Sequence, residues 1–127
     1  MLAGMANFEG LTVADVMLRR PKTLASDATV AEARQVLANP SVQVVLLADE
    51  TLFRGAVVEI PDDARGDVPA LSYIQAAPET LPPTESATTA FELAARSPHR
   101  RVVVLDERDG LIGLVCLDKT LTRFCGT

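Results

Sequence analysis

An internal repeat fills most of this 127-residue chain and constrains its fold more than any other feature. When the sequence is shifted against itself by 57 positions, eight of the 30 positions from Pro21 to Glu50 are identical without a gap. The identical pairs are Pro21/Pro78, Thr23/Thr80, Leu24/Leu81, Ala33/Ala90, Ala38/Ala95, Val45/Val102, Asp49/Asp106 and Glu50/Glu107. One inserted residue at the Asp109-Gly110 turn then aligns Gly55 with Gly113. The chain therefore contains two copies of one supersecondary unit.

The first copy predicts a short helix, a short strand, a longer helix and a hairpin, in that order. The candidate N-caps are Thr12, with Asp15 three residues on, for the short helix, and Asp27 or Thr29 for the longer one. The run 42–47 is too apolar for a strand with one exposed face, so it predicts a central strand, and residues 53–58 predict its hairpin partner.

The second copy predicts the same order. The candidate starts are Pro69 for the short helix and Thr84 or Ser86 for a helix over 87–96. Residues 101–105 and 111–115 predict a hairpin around the turn 107–110. We predict repeat boundaries at 12–63 and 69–124, with a linker over 64–68. The polar stretch from Pro61 to Asp67 indicates that the last helix of the first copy is largely lost.

Composition and charge exclude several classes of partner. The chain has 12 Lys and Arg against 17 Asp and Glu, a net charge of −5, and its basic residues occur only as short pairs. Nucleic acid and membrane surfaces are therefore set aside as partners. Neither a signal peptide nor an apolar run of about 18 residues is found, which predicts a cytoplasmic protein.

The two cysteines lie nine positions apart near the C-terminus, a spacing that matches no metal or redox motif. We predict reduced thiols. Cys116 is interpreted as a small buried apolar residue at a strand end, and Cys125 as part of an exposed tail.

Three stretches together resemble a tandem cystathionine beta-synthase (CBS) domain pair. They are Val-Ala-Asp-Val-Met at 13–17, Pro-x-Thr-Leu at 21–24, and His-Arg-Arg-Val-Val-Val-Leu-Asp at 99–106, the last continuing into Leu-Ile-Gly-Leu-Val at 111–115. The resemblance covers about residues 12–124. It implies an α+β fold of two β-α-β-β-α units with pseudo-twofold symmetry. It also implies a homodimer, and clefts between the repeats that hold adenosine-containing ligands such as AMP, ATP or S-adenosylmethionine.

In the resembled family, ribose is held by Gly-hydrophobic-hydrophobic-Thr/Ser-x-x-Asp after the hairpin, and both copies depart from this motif. The first copy has Val58 and Pro61 at the hydroxyl and acid positions. The second has Cys116 and Lys119, with Asp118 one place early. If a ligand binds, the cleft of the second copy is favoured. Its predicted residues are Thr80, Leu81, Arg100, Arg101, Val102, Cys116, Asp118 and Lys119.

The sequence contains no signature of a catalytic site, and His99 is interpreted as a loop residue. We therefore expect no enzyme, no metal and no required cofactor. Two functions stay open: a stand-alone regulatory module that senses an adenosine-containing ligand and acts on an unidentified regulated protein, or a ligand-free dimerisation or protein-interaction module.

A homodimer is also expected from the helix faces. The residues that a twofold partner would cover are Ala33, Val36, Leu37, Ala90, Phe91 and Leu93.

Overall fold

Capping side chains set where the two longer helices begin. The computed structural model describes residues 8–75 and 79–125. The helices are α1 (Val13–Val16), α2 (Val30–Leu37) and α3 (Ala87–Arg96), with a 3₁₀ helix over Ala70–Tyr73. Thr29 accepts from the Glu32 N–H at 3.3 Å while the Glu32 carboxylate accepts from the Thr29 N–H at 3.2 Å. Ser86 Oγ accepts from the Thr89 N–H at 3.1 Å. These bonds select Thr29 and Ser86 from the alternatives that the sequence left open.

Seven strands form two sheets. They are β1 (Leu18–Arg19), β2 (Thr23–Leu24), β3 (Val45–Asp49), β4 (Leu52–Val57), β5 (Thr80–Leu81), β6 (Arg101–Leu105) and β7 (Leu111–Cys116). One sheet has the order β2-β3-β4 and the other β1-β7-β6-β5. In both, the short strand before the long helix pairs parallel with the first hairpin strand. The first hairpin begins at Val45 rather than at Val42, whose N–H instead donates to the Asn39 carbonyl in a turn at 2.9 Å.

The two hairpins meet each other through equivalent residues. The Phe53 N–H donates to the Asp109 carbonyl at 3.0 Å, and the Leu111 N–H donates to the Thr51 carbonyl at 2.6 Å. Each residue of the first copy is related here to its counterpart by the same offset of 58. A buried cluster lies between the sheets and consists of Leu46, Ala56, Val103 and Leu114, again two equivalent pairs. This reciprocity is what pseudo-twofold symmetry requires.

The copies also exchange their N-terminal segments. The Val13 N–H donates to the Glu85 carbonyl at 2.8 Å, and its counterpart, the Ala70 N–H, donates to the Ala28 carbonyl at 2.9 Å. Strand β1 pairs with β7 in the sheet of the second copy, and Val13 and Val16 of α1 pack into that copy's core. We call β2, β3, β4, α2 and the 3₁₀ helix the first half, and the remaining elements with the tail 117–125 the second half. The repeat boundaries stay a prediction about the sequence.

Two equivalent glycines make this exchange possible. A Cβ on Gly55 would lie 2.7 Å from Ile74 Cγ2, and a Cβ on Gly113 would overlap Met17. Ile74 and Met17 are themselves equivalent at the offset of 57 and come from the other copy. Each hairpin therefore needs glycine where the exchanged segment crosses it.

Each half has its own apolar core between helix and sheet. The first half buries Ala28, Ala33, Val45, Leu47, Val57 and Ala70. The second buries Val13, Val16, Ala87, Ala90, Phe91, Ala94, Val102, Val104, Val115, Leu117 and Phe124. The α+β fold class and the helix-strand-helix-hairpin order are confirmed. The helix that would close each β-α-β-β-α unit is not formed in the described residues after β4 or β7, which make turns and short 3₁₀ structure instead.

The prediction of reduced thiols is wrong, because Cys116 and Cys125 form a disulfide. The tail turns back after β7, so that Leu117 bridges Phe124 and the Cys125 N–H donates to the Cys116 carbonyl at 2.6 Å. This places the two cysteines side by side, and Cys125 is half-buried rather than exposed. Persistent disulfides are rare in the cytosol, so this disulfide weighs against the predicted cytoplasmic location, which stays a prediction.

Within the described ranges, no helix has the length and apolar character needed to cross a membrane.

Candidate ligand-binding cleft

A cleft of about 350 Å³ lies between the two halves, and we call it the open cleft. The segment after α1, the start of β3 and the β6–β7 hairpin form its walls. Its lining residues are Leu18, Pro21, Lys22, Val36, Ser41, Val42, Val44, Leu46, Arg101, Leu114, Cys116 and Cys125. The walls are mostly apolar, two side chains are cationic, and none of these residues carries a carboxylate.

The equivalent cleft on the other face is almost filled, with a volume of about 20 Å³, and we call it the closed cleft. Seven of its eight lining residues are counterparts of open-cleft residues at the repeat offset: Glu79 corresponds to Lys22, and Val58 to Cys116. Val44 and Arg101 line both clefts. A larger depression of about 530 Å³ lies in the second half between Pro82 and Arg108, and no predicted site residue lines it. The open cleft is therefore the candidate site.

Two of the predicted site residues, Arg101 and Cys116, line the open cleft together. They are partners across the β6–β7 pair, which explains why they face the same space. The Cys116 sulfur is bonded to Cys125, so the position at which the resembled motif has a hydroxyl carries a disulfide.

Thr80, Leu81 and Val102 lie elsewhere. Thr80 is exposed on β5, which β6 separates from β7. Leu81 and Val102 pack into the core of the second half, and Val102 is fully buried. None of the three lines the open cleft.

Asp118 is engaged in its own turn. Its Oδ1 accepts from the Thr120 hydroxyl at 2.9 Å and from the Thr122 N–H at 3.1 Å, and its Oδ2 lies 3.4 Å from Arg123 Nε. Partial burial acts to raise the pKa of Asp118, but these bonds and the Arg123 charge together hold that pKa below its ordinary value. The carboxylate is ionised and already has partners.

Arg100 and Lys119 also lie outside the lining of the open cleft. Arg100 donates through Nε to the Leu117 carbonyl at 3.3 Å, and Lys119 is exposed. The ligand-binding roles of all eight predicted residues stay predictions.

Arg101 is half-buried, and its guanidinium meets only carbonyl oxygens. It donates to the carbonyls of His99 at 3.1 Å, Arg100 at 3.2 Å, Ser41 at 3.3 Å and Leu117 at 3.5 Å. Among the described residues, no carboxylate forms an ion pair with it. Burial, and then the nearby Arg100 charge, lower the pKa of Arg101. The open cleft therefore contains an uncompensated positive charge.

Sequence reasoning missed Lys22, Ser41 and Cys125 as lining residues. Lys22 follows the repeated Pro21, and its counterpart Glu79 occupies the same place in the closed cleft. The repeat alignment could have assigned these two positions to clefts, but only together with the exchange of segments between the copies.

Comparisons with known proteins agree with this architecture. The model of the CBS domain family matches residues 70–122. The CBS pair domain of a putative Mg²⁺ transporter from Shewanella oneidensis is similar to this chain, with a TM-score of 0.74 and 19% identity over 91% of this chain and 77% of that one.

Two further structures are similar. A CBS domain pair/ACT domain protein from Thermotoga maritima has a TM-score of 0.72 and 22% identity over 84% of this chain and 90% of that chain. CBSX2 of Arabidopsis thaliana in complex with AMP has a TM-score of 0.70 and 19% identity over 89% of this chain and 93% of that chain. The comparison with curated proteins found no match. The second copy thus matches the CBS domain family, and the whole chain has the fold of a tandem CBS domain pair.

Proposed function

We propose that this chain is a regulatory CBS-pair module that binds an adenosine-containing ligand in the open cleft. The observation that carries the proposal is this cleft of about 350 Å³ between the halves, with apolar walls and two cations, Lys22 and Arg101. Small-molecule sites typically have such volumes and a few polar groups among apolar walls. AMP, ATP and S-adenosylmethionine are the proposed ligands, and the AMP complex of the similar CBSX2 supports the first of them.

The departures from the ribose motif set the strength of this binding. Among the residues that the structure describes, none in the lining of the open cleft carries a carboxylate, and Asp118 already has partners. A lost charge-assisted hydrogen bond costs about 1.5–3 kcal/mol, so we expect binding about 10- to 100-fold weaker than at a matched site.

Calorimetric titration with AMP, ADP, ATP and S-adenosylmethionine tests the proposal. Ser41 is exposed at the cleft, so Ser41→Trp should fill the entrance and abolish binding. Thr88→Trp, on the exposed face of α3, is the matched control and should bind as the wild type does. If none of the four compounds binds the wild type, the ligand-free interaction module is the better interpretation.

We propose further that the module acts as a homodimer and without catalysis of its own, on a regulated protein still to be identified. Of the six helix residues expected in the dimer interface, Ala33, Ala90 and Phe91 are buried within the chain, so that part of the argument is wrong. Leu37 and Leu93 are only partly buried, so their exposed parts remain for a partner, whereas Val36, also partly buried, lines the open cleft. Sedimentation velocity at about 10 μM protein should show a dimer, and a monomer would contradict the proposal.

A further inference from the structure

The charges around the open cleft indicate which part of a ligand it recognises. Both ionisable side chains in its lining, Lys22 and Arg101, are cationic. Because Arg101 is half-buried without an acidic partner, an anion that enters the cleft gains an attraction that water screens less than at the surface. The guanidinium also presents a planar fork of donors, which suits phosphate and carboxylate oxygens.

The same lining offers little to ribose hydroxyls. A hydroxyl donor is bound most strongly by a carboxylate, and none of the described residues that line the cleft carries one. The Ser41 hydroxyl is bonded to Asn39 Oδ1 at 2.8 Å, and the Cys116 sulfur is held in the disulfide. The remaining walls are Leu18, Pro21, Val36, Val42, Val44, Leu46 and Leu114, which favour a flat apolar body.

We infer that the open cleft selects an organic anion with a flat apolar body, through Arg101 and Lys22, and that ribose hydroxyls contribute nothing to its affinity. For the nucleotides of the proposed function, on which this inference rests in part, recognition then depends on the phosphate and the base. Arg101 also lines the closed cleft, but that cleft has Glu79 in place of Lys22 and a volume of only about 20 Å³, so it does not share this preference.

Four probes separate these contributions in calorimetric titrations: AMP, 2′,3′-dideoxy-AMP, adenosine and 1-naphthyl phosphate. We expect AMP and dideoxy-AMP to bind within about threefold of each other, because the hydroxyls have no charged acceptor. Adenosine, which lacks the anion, should bind at least about tenfold more weakly. A tenfold loss for dideoxy-AMP, or equal binding of adenosine and AMP, would overturn the inference.

Charge variants assign the anion contact. Arg101→Gln should weaken AMP binding at least about tenfold and leave adenosine binding unchanged. Arg101 also donates to four carbonyls, so its replacement could disturb the fold. Lys22→Gln, which alters an exposed side chain, provides a second variant and should weaken AMP binding about threefold to tenfold. Arg54→Gln removes the same charge at an exposed ion pair outside the cleft and should have no effect. If both Arg101→Gln and Lys22→Gln bind AMP as tightly as the wild type does, the assignment is contradicted.

Naphthyl phosphate distinguishes failure of the inference from failure of the proposed function. If it binds in an Arg101-dependent manner and AMP does not, the anion preference stands and the adenosine ligand is wrong. If neither compound binds, the inference fails, and the proposed function fails with it only if ADP, ATP and S-adenosylmethionine do not bind either.

Discussion

Position 34 of the first copy and its counterpart, position 91, hold the chain after the last hairpin strand by different means. Arg34 donates through one guanidinium nitrogen to the carbonyls of Pro61 at 2.9 Å, Asp62 at 3.3 Å and Ala64 at 2.8 Å. Phe91 instead packs against Phe124 of the tail, with ring centroids 5.9 Å apart. In the same repeated unit, the chain that follows the hairpin can therefore be fixed either by hydrogen bonds near the surface or by apolar packing that extends the core.

Further contacts hold the tail of the second half near Phe91. Phe8 contacts both Phe91 and Phe124, at centroid distances of 5.2 and 4.9 Å, and the Cys116–Cys125 disulfide closes the tail. The first half has no aromatic side chain among its buried core residues. Core burial contributes more to the free energy of unfolding than rim hydrogen bonds do, so changes to the second half should have the larger effects.

Truncation of the aromatic cluster should have the largest effect. Phe91→Ala removes a ring that is 7% exposed and leaves a cavity between α3 and the tail. We expect the free energy of unfolding to fall by about 3–4 kcal/mol, measured by urea denaturation. Leu93→Ala, on the same helix and only partly buried, is the control and should lose about 1 kcal/mol. A loss below about 1 kcal/mol for Phe91→Ala would mean that the tail does not depend on this packing.

The sequence predicted the elements of both halves because the relevant signals are local. The repeat offset, the caps at Thr29 and Ser86 and the apolar runs of the hairpins depend on neighbouring residues. The exchange of β1 and the 3₁₀ helix between the copies is not local. Because the segment is repeated, its sequence is compatible with pairing to either sheet. Only the close approach of Met17 to Gly113 and of Ile74 to Gly55 shows which sheet each segment joins.

The candidate site was harder to predict for the same reason. Arg101 and Cys116 belong to one hairpin and were found, whereas Lys22 reaches the open cleft from the other copy. Asp118 was chosen from its place in a motif, but its own turn satisfies its carboxylate. The disulfide depends on how the tail turns back, which a spacing of nine residues does not specify.

Loss of the disulfide should be the second largest effect. The bond closes a short loop of about ten residues, and its removal increases the entropy of the unfolded chain, so we expect a loss of about 2–3 kcal/mol. Thermal unfolding followed by circular dichroism, with and without a phosphine reductant, measures it. The Cys116→Ala/Cys125→Ala variant is the control, since the reductant should not shift its Tm. An equal Tm for wild type in both conditions would show that the tail is held by Phe124 alone.

Arg34→Ala should lower the free energy of unfolding less, by about 1–2 kcal/mol, because its three carbonyl partners lie near the surface and water can replace the guanidinium. Arg65→Gln is the matched control. Its ion pair with Asp67 joins side chains that are 77% and 67% exposed, so its loss should cost less than about 0.5 kcal/mol. Urea denaturation of both variants checks the comparison, and a loss for Arg34→Ala as small as the control's would contradict it.

The two halves differ again at the equivalent residues Asp49 and Asp106. Hydrogen bonds from the Ser26 hydroxyl at 2.7 Å and N–H at 3.1 Å hold the pKa of Asp49 below 3.8, and they use both carboxylate oxygens. The N–H groups of Gly110 and Arg108, each at 2.8 Å, lower the pKa of Asp106 and both meet one oxygen, Oδ1.

A lowered folded-state pKa fixes the direction of the pH dependence. Each carboxylate stabilises the fold fully above its unfolded pKa of about 3.8, and this contribution is lost as the pH falls through the lower folded-state pKa. An asparagine at position 106 keeps an oxygen for both N–H groups, whereas an asparagine at position 49 loses one of the two acceptor oxygens. Each change also removes a negative charge near an arginine, Arg108 or Arg54. Asp106→Asn should therefore be the milder change.

Urea midpoints at about pH 7, 4 and 2 check this last and smallest effect. At pH 7 Asp49→Asn should unfold at lower urea than Asp106→Asn, and both differences from wild type should shrink as the pH falls toward 2, because acid protonates the wild-type carboxylates. Since each variant removes only one titrating group, the remaining carboxylates still make wild type and variants alike less stable in acid. A larger loss for Asp106→Asn, or differences that persist unchanged at pH 2, would show that the two turns are not stabilised by these carboxylates in the way the hydrogen bonds indicate.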